Sequence, residues 1–389
     1  MEAKIFSDNL TQNLKEEASK ENNKSLFWLT LWTTLRSDYR QLQKIAQSFS
    51  DLRQVFIARE EKLLSLGLDK EKINQLISGR ALEEGKKLLN QLAQKNYWII
   101  SIEEREYPPL LREINFPPYL LFGVGRKDVL TKPAVAIVGS RRPSSYGRSM
   151  AEKLSAELAA RGLVIVSGLA RGIDSLAHEA ALTEGETIAV LGSGLEKIYP
   201  PENWSLFKRI AAVGAVISEY LPHEPPLAHH FPWRNRLISG LSLATVVVEA
   251  SSQSGSLITA RLALDQNREV MAVPGKAGSE LSQGTNALIK AGAKLVENWL
   301  DVVVELPSDL RDAILLKEKE ANNKKREIES MDNDEKAVMS YLSSEEKISL
   351  EELVLHSGKQ PAELLSILFR LEMKGLILTY PGPSYQRRG

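Results

Sequence analysis

Hydrophobic positions change their period twice along the 389 residues. Up to about residue 105 they recur at intervals of three and four, as at Leu42, Ile45 and Phe49, which predicts amphipathic helices. LFWLTLWTTL, LRQVFIAREEKLLSLG and KINQLISGRALEEGKKLLNQLAQ read the same way. Short helices joined by SLGLDKEK suggest a small bundle of the helix-hairpin-helix kind. A bridge follows, YWIISIEEREYPPLLREINFPPYLLFGVG, whose two proline pairs stop helices and favour extended backbone.

From about Lys132 to Pro307 the pattern becomes short apolar runs separated by helical stretches. The runs are AVAIVGS, GLVIVSGLA, TIAVLGSG, GAVISEY, ATVVVEAS, EVMAVPG and AKLVEN. Between them the period is helical; Met150, Leu154 and Leu158, for example, share one face. Near-continuous apolar strands alternating with helices predict a mostly parallel sheet covered on both faces, the doubly wound Rossmann-like α/β class. Ligands of such sheets sit beyond the carboxyl ends of the strands, where this chain places glycines, serines and arginines.

The third pattern is charge. LKEKEANNKKREIESMDNDEK has few apolar residues and reads as a flexible linker or frayed helix. After it come three helical segments, EKAVMSYL, SLEELVLHS and AELLSILFRLEMKG, and a strand pair around ILTYPGPSYQRR, which suggests a winged helix. The expected organisation is a helical domain at 1–105, a Rossmann-like domain with its extended leading segment at 106–307, a linker at 308–333 and a winged helix at 334–389.

Composition narrows the chemistry. Lys+Arg and Asp+Glu are both 50, so nucleic-acid affinity requires a local basic patch rather than a global field. The absence of cysteine excludes disulfides, cysteine nucleophiles and thiolate metal sites. His229 and His230 are adjacent and diverge on a helix, so no metal site is expected. His178 reads as a packed surface residue. The polar first 24 residues lack the apolar core of a signal peptide, and Leu26–Trp32 is too short to span a bilayer; a cytoplasmic protein without membrane contact is expected.

The candidate site is an anion-binding edge. In AIVGSRRPSSYG, Gly139 turns the chain after a strand, Ser140 offers a hydroxyl and Arg141 a fork of donors, with a helix starting near Tyr146 or Gly147. This is not the dinucleotide fingerprint, since only Gly139 and Gly147 are glycines there, and LGSGLEKIYP fails too because Lys197 holds the sixth position. SGLARGID brings Arg171 to the same edge, with Asp174 in the first turn of a helix. HHFPWRNRLISG opens a helix with Phe231, Arg234, Asn235 and Arg236. The proline biases Phe231 toward an extended backbone, from which the ring would offer a stacking face to an unpaired base. Arg234 and Arg236 lie about 200° apart on a helix, so one faces a ligand and the other pairs inward, with Glu219 or Glu249. Ser254, Gly255 and Ser256 form a further nest at a helix start, and Gly284-Thr285-Asn286 another. Each has a plainer reading: a surface ion pair for the arginines, core packing for Phe231, an ordinary cap for the serines. Many small-residue loops on one edge suit a groove taking several phosphates. Glu219 and Glu249, read as ending neighbouring strands, are a carboxylate pair that either performs acid/base work or holds arginines and loops.

In order, GSRRPSSYG, SGLARGID, FPWRNRLISGLS, EASSQSGSLITA, VPG and GTNALIKAGA resemble the DNA processing protein A family of bacteria (DprA, also called Smf). The resemblance covers the whole Rossmann-like region, and both flanks fit it. It implies a protein without established catalysis that binds single-stranded DNA, loads RecA recombinase onto it, supports natural transformation and forms dimers through the Rossmann-like domain. It assigns DNA contacts to Arg141, Phe231, the Arg234–Arg236 run and Ser254–Ser256, and no cofactor. Because Glu363, Glu372, Arg370 and Lys374 balance on the third C-terminal helix, a protein-interaction or auxiliary role is expected there. The alternative is a nucleotide-binding enzyme similar to the lysine-decarboxylase-like phosphoribohydrolases. Their catalytic glutamate would fall where SQSGSLITA has threonine and alanine.

Overall fold

The structure, a computed structural model, describes residues 23–35, 38–329 and 331–388. The polar stretch read as lacking a signal core thus lies almost wholly outside the described residues. Among the described residues no helix is long and apolar enough to cross a membrane. Two compact units divide between Leu306 and Pro307.

The first unit begins with α1 (Asn23–Thr34), α2 (Tyr39–Ser48), α3 (Glu60–Ser65), α4 (Lys70–Ile77) and α5 (Arg80–Gln94). β1 (Trp98–Ser101), a short α6 (Pro109–Arg112) and β2 (Leu120–Gly125) occupy the proline-rich bridge. The alternating region then runs β3 (Ala134–Val138), α7 (Ser145–Ala160), β4 (Val164–Ser167), α8 (Ile173–Glu184), β5 (Thr187–Val190), α9 (Trp204–Val213), β6 (Ala215–Ser218) and α10 (His230–Gly240). It closes with β7 (Ala244–Val247), α11 (Ser256–Asp265), β8 (Glu269–Ala272), α12 (Gln283–Lys290), β9 (Lys294–Leu295) and α13 (Trp299–Val303).

All nine strands form one sheet in the order β1-β2-β6-β5-β4-β3-β7-β8-β9. β3 to β9 are parallel, and β1 and β2 add antiparallel at one edge. The seven strands read from the sequence are present; β1 and β2 were read only as extended backbone. Alternate residues feed two cores. Phe122, Ala189 and Val216 face the N-terminal helices and α9, while Leu121, Val190 and Ile217 face α10 and α11. Leu42, Ile45 and Phe49 are buried as their spacing predicts. The helical region and the sheet therefore share one apolar core rather than two separate ones.

The second unit opens with α14 (Ser308–Glu329), so most of the charged stretch is helix. α15 (Asn333–Ser340), β10 (Ile348–Ser349), α16 (Leu350–Ser357), α17 (Pro361–Met373), β11 (Ile377–Tyr380) and β12 (Ser384–Arg387) follow. Three helices packed against a β10-β12-β11 sheet form a winged helix around Val338, Leu353, Leu368 and Tyr385. The cations of α17 are engaged: Lys374 Nζ lies 2.6 Å and Arg370 Nε 3.2 Å from the buried carboxylate of Glu335.

Candidate nucleic-acid interface

β3 and β7 are adjacent although the chain runs from β3 outward through β4, β5 and β6 before returning to β7. The strand order reverses there, and the loops after the two strands part to leave a crevice. A cavity of about 710 Å³ opens at that point, lined by Gly139, Ser140, Arg141, Arg142, Tyr199, Phe231, Arg234, Asn235 and Ser254–Ser256 among others. Nine of the eleven residues singled out in the sequence thus meet at one site: Gly139, Ser140, Arg141, Phe231, Arg234, Asn235, Ser254, Gly255 and Ser256. A small adjoining hollow, lined by Arg141, Tyr199 and Phe231 as well, takes in Arg171. Arg236 lies elsewhere.

Close backbone packing builds the floor. A Cβ on Gly139 would come within 2.7 Å of Ile173 Cγ1, and one on Gly172 within 2.3 Å of Ser140 O. Gly172 also has φ +77, a conformation that side chains resist. Only glycine lets the loop after β4 press against the arginine loop. Ser140 N–H donates to Glu249 O (2.7 Å), tying that loop to β7.

Arg141 and Arg142 are exposed and make no ion pair among the described residues, so two guanidiniums project at the crevice without a counter-charge. Arg141 stands 6.0 Å from the centroid of Phe231, whose ring leans on Tyr199 at 5.5 Å. Arg171 shares its Nε proton with Glu202 in an exposed pair, a weak bond that a phosphate can replace. Arg234 is buried beneath the crevice and donates Nη1 to Gly168 O (3.0 Å) and to Val190 O, at the ends of β4 and β5. Burial pulls its guanidinium down to about 10, still a cation at neutral pH. Asp174 beside it accepts from Gly168 N–H (3.1 Å). Burial raises that carboxyl above its usual range, and the Arg234 charge works against the rise. Arg236 turns inward and grips Glu219 with both Nη atoms, at 2.9 and 2.5 Å. The expected inward pairing is met by Arg236 with Glu219, while Arg234, also buried, spends Nη1 on the carbonyls at the ends of β4 and β5.

In the Ser254–Ser256 nest Gly255 is exposed, Ser254 half-buried and Ser256 buried. The two hydroxyls lie 2.7 Å apart, and the Gly255 N–H has no acceptor among the described residues. A Cβ on Gly255 would meet nothing within 4 Å. The fold does not need that glycine, and its bare backbone leaves room for a ligand to approach closely. Gly255→Leu is expected to shift the thermal midpoint by no more than a few degrees while weakening occupancy of the crevice about tenfold. Paired melting curves and DNA-binding isotherms check this, and unchanged affinity would place the ligand elsewhere.

Five expectations change. Phe231 is the second residue of α10, not extended; its ring reaches the crevice because Gly192 makes room, a Cβ there falling 2.8 Å from Phe231 Cδ1. Glu219 and Glu249 do not end neighbouring strands, since β6 and β7 are separated by β5, β4 and β3. The start of α7 is no free anion site either. Glu249 fills it, accepting from Ser144 N–H (2.8 Å) and Ser144 Oγ (2.6 Å), and Gly147 leaves room for the carboxylate. Gly284-Thr285-Asn286 lies off the crevice: Gly284 N–H donates to Ala250 O, and Asn286 brackets Gly275.

The fifth is His178, which is wholly buried. Its Nδ1 lies 2.7 Å from Thr187 Oγ1, whose proton goes to Ile165 O, so Nδ1 carries a hydrogen and donates. Burial lowers its pKa from 6.5 to about 3. Between those values the unfolded chain binds a proton that the folded chain does not, so stability falls as pH drops below 6.5. The expected contribution is about 1.4 kcal/mol per pH unit well inside that window. Urea melts at pH 5.5 and 4.5 should show His178→Asn losing stability less steeply than the parent; equal slopes would mean the folded ring is already protonated.

Tyr199, Arg142 and Gly192 were missed. Tyr199 and Gly192 follow β5 in LGSGLEKIYP, a stretch tested only against the dinucleotide fingerprint. An aromatic residue between a glycine-rich strand end and the Pro200-Pro201 pair was the available signal, and Tyr199 proves exposed.

Fold and site together define a Rossmann-like α/β protein with an open, arginine-lined crevice at its switch point. Residues 98–307 match the family model described as DNA recombination-mediator protein A, and residues 322–383 that of the DprA winged helix domain. The chain is 34% identical over 397 residues to Protein Smf of Synechocystis sp., covering 94% of this chain and 100% of that one. It is 48% identical over 206 residues to the DNA processing protein DprA of Streptococcus pneumoniae, covering 53% and 73%. The X-ray structure of DNA processing protein A from Streptococcus pneumoniae superposes with TM-score 0.61 at 36% identity, covering 72% of this chain and 98% of that one. The chain belongs to the DNA recombination-mediator protein A (DprA/Smf) family of DNA-processing proteins.

Proposed function

We propose that this protein binds single-stranded DNA in the switch-point crevice without strong sequence preference, and loads RecA recombinase onto it in natural transformation or recombination. It acts in the cytoplasm as a homodimer joined through the Rossmann-like domain, and catalyses no reaction. The carrying observation is the meeting of two unpaired arginines, an aromatic pair and an open serine-glycine nest in one crevice. Such a surface takes phosphates by charge and bases by their faces, and neither contact reads sequence.

The hydrolase alternative needs a free carboxylate at the crevice. Thr259 occupies the lining after the nest, Glu249 is spent on Ser144, and Asp174 is buried against backbone N–H groups. This favours binding over chemistry. The winged helix serves contact with protein, because its third helix exposes Leu365, Phe369 and Met373 while its cations are tied to Glu335.

The test is fluorescence anisotropy with labelled single-stranded and duplex DNA, titrated with salt. Single-strand preference with a steep salt slope supports the reading and opens a RecA-loading assay. No binding at low salt, or base release from a nucleoside monophosphate, overturns it.

A further inference from the structure

We infer that Trp233 and Phe116 form a second stacking platform for unpaired DNA bases, continuing the strand path beyond the crevice. The inference rests on the single-strand reading of the crevice and extends it to two residues to which the sequence analysis gave no role and which the cavity does not include.

Trp233 is 40% and Phe116 44% exposed, large apolar rings left open to water. Their centroids are 5.8 Å apart at 47°. They form the outer tip of a connected series of rings. Tyr39 meets Phe116 at 5.7 Å and Trp233 at 6.3 Å, then stacks on Tyr119 at 5.2 Å. Tyr119 stacks on the buried Trp28 at 4.4 Å. The Tyr39 hydroxyl donates to Pro117 O (2.9 Å), holding the segment that carries Phe116. One face of the indole is covered by Arg236, 4.3 Å from the ring centroid, and Arg236 is itself fixed by Glu219. The ring is thus oriented before any ligand arrives, which spares the ordering cost of binding.

Continuity with the crevice selects the occupant. Pro232 and Asn235 line the crevice, and Trp233 lies between them on α10. Phe231 and Trp233 point about 200° apart around the helix, so a strand that touches both must cross the exposed Pro232 between them on the first turn of α10. Every base has a π-face, so a bare ring pair accepts successive bases whatever their sequence. A protein ligand would need the rings alone; a strand already anchored at Arg141 reaches them as its next step.

The experiment is a length series of oligo-dT strands on the full chain, read by anisotropy, with Trp233→Ala, Phe116→Ala, Trp233→Phe and Arg141→Glu. Strands carrying 5-iodouracil at successive positions are photocrosslinked in parallel, and the attached residues mapped by mass spectrometry. The parent should gain about 5- to 100-fold in affinity once the strand is long enough to leave the crevice. Trp233→Ala and Phe116→Ala should lose that gain, Trp233→Phe should keep most of it, and crosslinks should fall on Trp233 or Phe116. Identical length dependence in all ring variants, with no crosslink at either ring, overturns the platform. Failure of the crevice reading looks different: the shortest bound strands would then ignore Arg141→Glu, and the platform falls with it.

Discussion

Arg141→Glu is expected to weaken single-stranded DNA binding about 10- to 100-fold at moderate salt, equally for every sequence tested. Arg141 is exposed, has no ion-pair partner among the described residues and stands at the mouth of the crevice. Removing one phosphate contact lowers the dependence of log K on log salt by about 0.7 for a single strand. Reversal adds repulsion of the same backbone, so affinity should fall further than in Arg141→Ala, and the difference should shrink as salt rises. Neutral total charge sharpens the expectation, because no global field compensates for a lost local cation. The fold should be unaffected, since the side chain bridges no core elements. Salt titrations of parent, Arg141→Ala and Arg141→Glu decide the matter. Equal slopes in all three would mean Arg141 touches no phosphate.

The sequence made the α/β region legible because parallel strands buried on both faces read as unbroken apolar runs. β1 and β2 escaped that reading for a physical reason. They lie at the antiparallel edge, and the proline pairs around them mask the strand signal of WIIS and LLFGVG. The site was legible in outline because loop residues at strand ends converge in any doubly wound sheet. Its interior was not. Which arginine turned inward depended on where β6 stands in the sheet, and the fate of Glu249 depended on β7 lying beside β3. Those are facts of strand order, and local pattern carries no information about them. Phe231 shows the same limit. A proline after it biases the backbone, but the α10 helix takes Phe231 and Pro232 into its first turn, where a missing N–H costs nothing.

Glu219→Ala should be the most damaging single change to the fold, about 3–5 kcal/mol. Glu219 is 1% and Arg236 4% exposed, and the two are joined by paired bonds. Truncating the acid leaves a guanidinium with no water and no counter-charge, which is the costly way to break such a pair. The loss is comparable to much of the 5–15 kcal/mol by which a typical domain is stable. At a few degrees per kcal/mol, the melting midpoint should fall by about 10 °C or more. Replacing both partners, Glu219→Leu with Arg236→Met, removes the stranded charge and should recover most of that loss. The cycle therefore separates the net worth of the pair from the penalty of orphaning one member. It also bears on the proposed stacking platform, because Arg236 supports the Trp233 indole from behind. The double variant should melt near the parent yet bind long single strands less tightly, while short strands held only in the crevice bind as before. A double variant as unstable as Glu219→Ala would show instead that the pair fixes the position of α10 itself, through contacts that no apolar substitute reproduces.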